Sequence, residues 1–383
     1  MKSYKNLWSI CNSDATINEA IKRLKRSKRM RKLIKRKHYS DDYLREYTRN
    51  LLYNYYPKDK KVVYLWDEIS CKMREVLIPD LDDLLIGHCV CIVLEPILYK
   101  GLYEHRYSSI RNRGSLRAKR CIERYIRKNP GKVKYCFKCD IYHFFASIDK
   151  SQLLSKFCKY IKDCKMIDLI IRILSVKPKN QIQNIKGIPL GFPTSPLFSS
   201  LLLQPLDHYI KENLKVDFYI AWADDMIIFG PNKKNLHNIK DNISNFLSTI
   251  GLKLKNNWQI FRFSSIRNMP NGSRKDAYRD LDFMGYRFFR NRTVLRKAIL
   301  YRACGKAKRI SRKQWPTIYD ARRMMSYYGY FIHTATKKCF NERVKPFVNI
   351  KYLRNKISRK DKESALNKYY KLVSTYKHVR CFA

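Results

Sequence analysis

Apolar residues recur along this chain in two rhythms. Short unbroken or alternating runs predict strands at Val62-Val63-Tyr64-Leu65-Trp66, Cys71 to Ile78, Lys134 to Ile141, Phe218 to Ala223 and Met226 to Phe229. Longer stretches with helical spacing predict helices over Asp80 to Leu98, Ser151 to Ser175, Leu197 to Leu214 and Lys233 to Ile250, the first opening on an Asp suited to capping. Short strands follow at Trp258 to Phe263 and Phe283 to Phe289, and the chain from about 293 reads as helical and basic. Residues 1 to about 60 read as helix and basic loop. There, Ile21 to Lys37 sets Leu24, Met30, Leu33 and Ile34 among many cations, as one amphipathic helix or as two broken near Ser27. Its polar face is suited to phosphates or an acidic partner, and equally to plain solvent. A basic loop, Tyr107 to Arg120, leads into a further helix, and no internal repeat is visible. The expected division is 1–60, 61–134, 135–290 and 291–383.

Charge narrows the choice of partner. The chain has 81 Lys and Arg against 32 Asp and Glu, a net of +49. Such an excess repels itself unless a polyanion neutralises it, and nucleic acid fits best. A membrane surface is the competitor. Against it, no apolar run reaches the roughly 18 residues a span needs, and the nearest, Leu84 to Leu98, contains His88 and Glu95. The N-terminus also lacks the apolar region and cleavage site of a signal peptide, so a cytoplasmic protein is expected. The 28 Tyr suit stacking on bases, although an A/T-rich coding sequence would produce the same bias. The 12 Cys follow no disulfide spacing and read as reduced thiols. Cys136-x-x-Cys139 is half a zinc motif without a second ligand pair.

The chemistry concentrates at Phe218-Tyr-Ile-Ala-Trp-Ala-Asp-Asp-Met-Ile-Ile-Phe-Gly230. Asp224 and Asp225 sit between two apolar strands, where paired anions repel each other and resist desolvation. A hard divalent cation such as Mg²⁺ relieves that conflict; a solvated Asp-Asp turn is the plainer alternative. A second apolar strand ends on Asp140, followed by Ile141-Tyr-His-Phe-Phe145. Carboxylates from neighbouring strand ends can bridge two divalent ions about 4 Å apart, the arrangement that stabilises both oxygens of a phosphoryl displacement. Between these strands lies Gly187-Ile-Pro-Leu-Gly191-Phe-Pro-Thr-Ser195-Pro196. Gly191 lets backbone approach a flat ligand, and Ser195 can cap the following helix or bond a phosphate.

Taken in order, these segments resemble the reverse transcriptases. Asp140 to Ile148 is similar to the family's first palm motif, and Gly187 to Pro196 to the motif beside the nascent base pair. Trp222-Ala-Asp-Asp225 resembles the Tyr-x-Asp-Asp box with Trp in place of Tyr. Gly251-Leu-Lys-Leu-Lys255 resembles the next motif, and Phe283-Met-Gly-Tyr-Arg-Phe288 the primer-grip hairpin. Upstream, Lys72 to Pro79 and Arg111-Asn-Arg-Gly114 resemble the fingers motifs. The likeness spans roughly residues 60 to 300. It implies an α+β right-hand polymerase: fingers at 61–134, a palm with an antiparallel sheet flanked by helices at 135–290 (a fingers portion lying near 176–196), and a helical thumb and tail at 291–383. It implies RNA-templated DNA synthesis with two Mg²⁺ ions, Mn²⁺ being able to substitute. Asp140, Asp224 and Asp225 match the catalytic and metal-binding positions, helped by the Ile141 carbonyl. Phe145 matches the aromatic that excludes a ribose 2′-hydroxyl. Lys72, Arg74, Arg111 and Arg113 are candidates for the incoming triphosphate, Lys72 and Arg113 foremost. Leu190 and Gly191 lie at the nucleotide, and Met284, Gly285 and Tyr286 at the primer grip.

Leu190 refines the resemblance. Many members carry Gln there, and an aliphatic residue resembles the enzymes of diversity-generating retroelements, which err at template adenines. Met325 to Thr334 resembles their thumb, and Asn257 to Phe261 a further segment of theirs. Ser195-Pro196, where that group has Ser-Gln, and Trp222 depart from the pattern. No Val-Thr-Gly of the retron type lies near the C-terminus, and few residues follow the thumb for maturase or endonuclease domains. The implied partners are template RNA, a DNA or RNA primer, deoxynucleoside triphosphates and a small basic multimeric accessory protein, in a bacterial or phage-encoded system. A phage-defence reverse transcriptase, template-independent in some members, is one alternative. A non-catalytic RNA-binding relative is the other.

Overall fold

The computed structural model describes residues 3–67, 72–179, 186–269 and 274–360. The chain forms two compact units, Met1–Arg262 and Phe263–Ala383.

The first unit opens with four helices, α1 (Leu7–Cys11), α2 (Asp14–Leu24), α3 (Lys28–Arg36) and α4 (Asp41–Asn54). Ser13, Ser27 and Ser40 each accept a backbone N–H at the start of α2, α3 and α4, so serine caps punctuate the bundle. The basic stretch is therefore two helices broken at Ser27, and α3 buries Met30 and Ile34. Strands β1 (Val62–Asp67) and β2 (Lys72–Leu77) pair as a hairpin with Trp66 opposite Met73, both exposed. Helix α5 (Leu81–Leu98) starts with a reciprocal capping box between Asp80 and Asp83. It is apolar around much of its circumference and buried accordingly.

There follow β3 (Arg106–Tyr107), α6 (Ser115–Lys128), β4 (Tyr135–Cys139), α7 (Phe144–Ser147), α8 (Lys150–Tyr160), α9 (Cys164–Leu174) and α10 (Ser195–His208). The unit closes with β5 (Phe218–Trp222), β6 (Asp225–Gly230), α11 (Lys233–Thr249) and β7 (Gln259–Arg262). The expected single helix over 151–175 is two. The first ends at Tyr160, and Asp163 caps the second, accepting from Met166 N at 3.2 Å and from Trp8 N at 2.8 Å. A π-helical turn, Tyr209–Asn213, extends α10.

The five strands order as β3-β5-β6-β4-β7, antiparallel throughout except for the parallel β3–β5 edge. Helix α11 packs on β4, β6 and β7. Phe137, Tyr219 and Ile228 from the sheet join Leu201, Leu206, Ile243 and Leu247 from the helices in one core. Burial of both faces of β5 and β6 explains why their sequences are continuous apolar runs, not alternating ones.

The second unit pairs β8 (Ser265–Asn268) with β9 (Arg274–Ala277), and β10 (Leu281–Phe283), β11 (Tyr286–Phe288) and β12 (Thr293–Leu295) in a three-stranded sheet. Helices α12 (Lys297–Ser311), α13 (Ile318–Ile332) and α14 (Lys337–Arg343) follow, and residues 350–360 are again helical. Asp320 is the hub of α13: its buried carboxylate closes a capping box with Thr317 and accepts from Lys306 at 2.5 Å and Lys313 at 2.8 Å. Among the described residues, no helix is long and apolar enough to cross a membrane.

Candidate active site

Strand pairing assembles the carboxylates. Cys139 at the end of β4 lies opposite Met226, and Trp222 lies opposite Asp225 across the β5–β6 hairpin. Asp140, one residue past β4, thus arrives beside the two-residue turn Ala223-Asp224. Ala223 holds a φ of 55°, a left-handed conformation that costs an L-residue about 1–2 kcal/mol. The turn that carries the key carboxylate is therefore strained, and its neighbours must hold it.

The electrostatics at this tip are unfavourable for anions alone. Asp224 is pushed up from an ordinary 3.8 to about 8, first by burial, then by a hydrogen-bond contact with Asp140, and then by the charges of Asp140 and Asp225. Two carboxylates make such a bond only when one keeps a proton. Asp140 Oδ1 is buried without a hydrogen-bond partner. On its other oxygen, the Lys255 ammonium stands 3.5 Å from Oδ2, while Lys255 N donates to the Asp140 carbonyl at 2.9 Å. Even with Lys255 beside Asp140, burial and the neighbouring carboxylates disfavour a second negative charge on Asp224. A divalent ion suits this donor set, since Mg²⁺ binds through one or two carboxylates plus substrate phosphates and not in a closed protein cage. Among the described residues, no group of three or more His, Cys, Asp and Glu is placed to hold a metal ion. Asp140 and Asp224 would hold the ion, with Asp225 adding its charge from the next position.

The other expected residues fall into three groups. Near the acids, Ile141 is buried and bridges to Leu254. Phe145 packs edge-to-face on Phe144 at 5.3 Å and is half-buried. Ile188 N donates to Phe145 O at 2.9 Å and Gly187 N to Ile148 O at 2.7 Å, so the Gly187 loop runs beside the Asp140 segment.

A second group serves the chain's own backbone. Gly191, at φ +104°, is where an added Cβ would meet Leu77 O at 2.6 Å. The loop lies close against β2 there, with Leu77 N donating to Leu190 O at 3.0 Å. Ser195 Oγ donates to Pro189 O at 2.6 Å, which locks the loop and leaves no hydroxyl hydrogen for a phosphate. Arg113 Nη1 donates to the carbonyls of Tyr103 at 2.7 Å and Arg106 at 3.4 Å, which ties down the basic loop.

The third group comprises the remaining expected residues. Arg74 and Arg111 are exposed, and the Lys72 side chain lies outside the described residues. Met284 and Gly285 form the left-handed turn of the β10–β11 hairpin in the second unit, at φ 52° and 84°. Tyr286 is buried there against Tyr330, with ring centroids 5.5 Å apart.

Sequence reasoning missed one group. Arg106, wholly buried, forks onto Asp207 through Nε at 2.5 Å and Nη2 at 2.6 Å, and its Nη1 donates to the Ala223 carbonyl at 2.8 Å. One Arg in a basic stretch carries no signal that it turns inward.

Residues 74–288 match the family described as reverse transcriptase (RNA-dependent DNA polymerase), more than half of the chain. The chain belongs to the reverse transcriptase family. This reverse transcriptase is 30% identical over 199 residues to the group II intron-encoded protein LtrA of Lactococcus lactis subsp. cremoris, covering 51% of this chain and 32% of LtrA. It is 28% identical over 147 residues to the retron Ec73 reverse transcriptase of Escherichia coli, covering 35% of this chain and 44% of that protein. The chain thus spans about a third of the length of LtrA. Among solved structures, telomerase from Candida albicans, in complex with a telomeric RNA fragment, aligns with a TM-score of 0.46 and 12% identity over 77% of this chain and 56% of that one. Family and architecture agree: a central, mainly antiparallel sheet flanked by helices and carrying paired acids is the fold of a right-hand polymerase.

Proposed function

We propose that the protein is an RNA-directed DNA polymerase that extends a DNA or RNA primer along template RNA from deoxynucleoside triphosphates. The single observation that carries the reading is the Asp140–Asp224 pair at adjoining strand ends, one oxygen buried without a partner and one carboxyl pushed up to about 8. Two divalent ions, Mg²⁺ with Mn²⁺ able to substitute, would supply the charge that stabilises the attacking and leaving oxygens in nucleotidyl transfer.

The chain's own residues do the rest. Asp140, Asp224, Asp225 and the Ile141 carbonyl bind the cations. Phe145, half-buried beside the Gly187 loop, meets the sugar and disfavours a 2′-hydroxyl. Lys72, Arg74 and Arg111 face the triphosphate, where cations offset the charge that builds during transfer. Arg113 acts one step back, holding their loop. Leu190 and Gly191 border the nascent pair, and Met284, Gly285 and Tyr286 grip the primer end. In this scheme residues 61–134 are fingers, 135–290 palm and 291–383 thumb and tail, behind the basic extension 1–60. A net charge of +49 supports a polyanionic template and primer.

Within the family, Leu190 in place of Gln supports the diversity-generating retroelement group, with errors concentrated at template adenines. That reading adds a small basic multimeric accessory protein and a bacterial or phage-encoded cytoplasmic setting. Two bacterial relatives are compatible with that setting.

The decisive experiment is primer extension with Asp140→Ala and Asp224→Ala. Both are expected to lose extension while RNA binding survives; extension at the wild-type rate by either would sink the assignment. Reactions without template RNA should yield no product, and product there would favour the template-independent defence enzymes. Sequencing the cDNA tests the subgroup: equal error at all four bases removes the support from Leu190, and Leu190→Gln is expected to lower errors at adenines.

A further inference from the structure

The turn that presents Asp224 is held at both ends of one residue. Ala223 N donates to Tyr107 O at 3.3 Å, and Ala223 O accepts from Arg106 Nη1 at 2.8 Å. That carbonyl belongs to the peptide joining Ala223 to Asp224, so fixing it fixes where the Asp224 side chain starts. Arg106 and Tyr107 form the whole of β3, a two-residue parallel edge whose purpose in the sheet is otherwise slight.

The guanidinium is itself oriented from two directions. Nε and Nη2 take both oxygens of Asp207 on α10, at 2.5 and 2.6 Å, and Tyr219 Oη on β5 donates to Asp207 Oδ1 at 2.8 Å. Arg106 and Asp207 are 1% and 0% exposed. Burying an ion pair costs desolvation that well-packed apolar side chains of the same volume would avoid. A planar fork with three nitrogens in use is, however, the one side chain that can brace a carboxylate and a carbonyl at once.

We propose that Arg106 is a positioning residue for the catalytic hairpin, with Asp207 and Tyr219 as its brace: it holds the strained Ala223–Asp224 peptide so that Asp224 and Asp140 converge on a divalent cation. The proposal rests on the metal-binding reading of those two acids. Partners one shell out from a metal ligand change metal affinity or activity by about 10–100-fold when removed.

The test uses the full chain and two readouts: Mn²⁺ binding without nucleotide, followed by the loss of the free-ion EPR signal, and steady-state primer extension. Wild type and Asp224→Asn set the scale. If wild type takes up no Mn²⁺, or Asp224→Asn takes it up equally, the metal reading itself fails. With that scale established, Arg106→Lys is expected to weaken Mn²⁺ binding and lower kcat by about 10–100-fold while KM for primer–template stays within about twofold. Adding Ala223→Gly, which relieves the left-handed strain, should recover at least about fivefold of either loss. Tyr219→Phe, a one-oxygen change, should move both readouts the same way by about 3–10-fold, and carries the test if Arg106→Lys does not fold. Mn²⁺ affinity and kcat within twofold of wild type in Arg106→Lys, or in Tyr219→Phe, would overturn the proposal. So would losses in Arg106→Lys that spread to KM and are not recovered by Ala223→Gly.

Discussion

Neutralising Asp224 should make the metal-free protein more stable while disabling it. In the fold this carboxyl titrates near 8, against 3.8 ordinarily. The native state therefore binds a proton more tightly than the unfolded chain, and unfolding free energy falls as pH rises from about 4 to about 8, by up to ~1.4 kcal/mol per pH unit. Below that window the acid is protonated in both states and costs nothing; above it the loss is complete. At pH 7 roughly three units of the window have been crossed, a ceiling of ~4 kcal/mol. The carboxyl keeps some contact with solvent, which screens part of the repulsion. Asp224→Asn should accordingly gain about 1–3 kcal/mol at pH 7 in EDTA, its amide able to donate to the orphaned Asp140 oxygen. The assay is urea unfolding of both proteins at pH 4.5, 6, 7 and 8.5. The difference should grow with pH, and added Mg²⁺ should stabilise wild type far more than the variant. Parallel curves, with a constant difference across the series, would refute the idea that these acids repel each other in the fold.

Two other perturbations test the supports around the site. Gly191→Ala places a methyl 2.6 Å from Leu77 O at φ +104° and should cost the first unit about 2–4 kcal/mol, read as a lower urea midpoint; an unchanged midpoint would show that the loop simply shifts away from β2. Asp320→Asn should weaken the second unit by about 2–3 kcal/mol at pH 7, since Lys306 and Lys313 lose their shared anion. Its carboxyl is held well below the usual range by those lysines and Thr317 against the opposing effect of burial, so the stabilisation is present above about pH 4 and disappears as pH falls through the depressed value. The gap between wild type and variant should narrow steadily as pH falls from 4 to 2, and a gap that stays constant over that range would assign the loss to packing.

Much of this site could be read before any coordinates, for a physical reason. An apolar strand that ends on an acid is locally costly, and Asp140 and Asp224-Asp225 advertise that cost in their own neighbourhood. The capped helix at Asp80 was legible for the same reason, because caps act within a few residues, while at Ser27 the sequence left one helix and two equally open. What stayed hidden depends on contacts between distant segments. Arg106 reaches Asp207 and Ala223 across more than a hundred residues, and β3 is too short to show any period. Gly191 was conspicuous, but its close approach to Leu77 of β2 was not foreseeable from its own neighbourhood. Asp163, mid-run in an apparently continuous helix, gave no periodic warning that its side chain would cap a new one.

Lys255 adds a consequence for the order of events at the site. Its ammonium stands 3.5 Å from Asp140 and gives this acid a counter-ion within the chain. Under the proposed metal-binding reading, arrival of a divalent ion would be an exchange, in which a tethered monovalent charge yields, and not a simple gain. Such a tether sets a threshold: scarce or weakly charged cations lose to a competitor held at fixed, high local concentration. The same lysine backbone that hydrogen-bonds Asp140 ensures that the displaced ammonium stays close by, ready to return when the ion leaves.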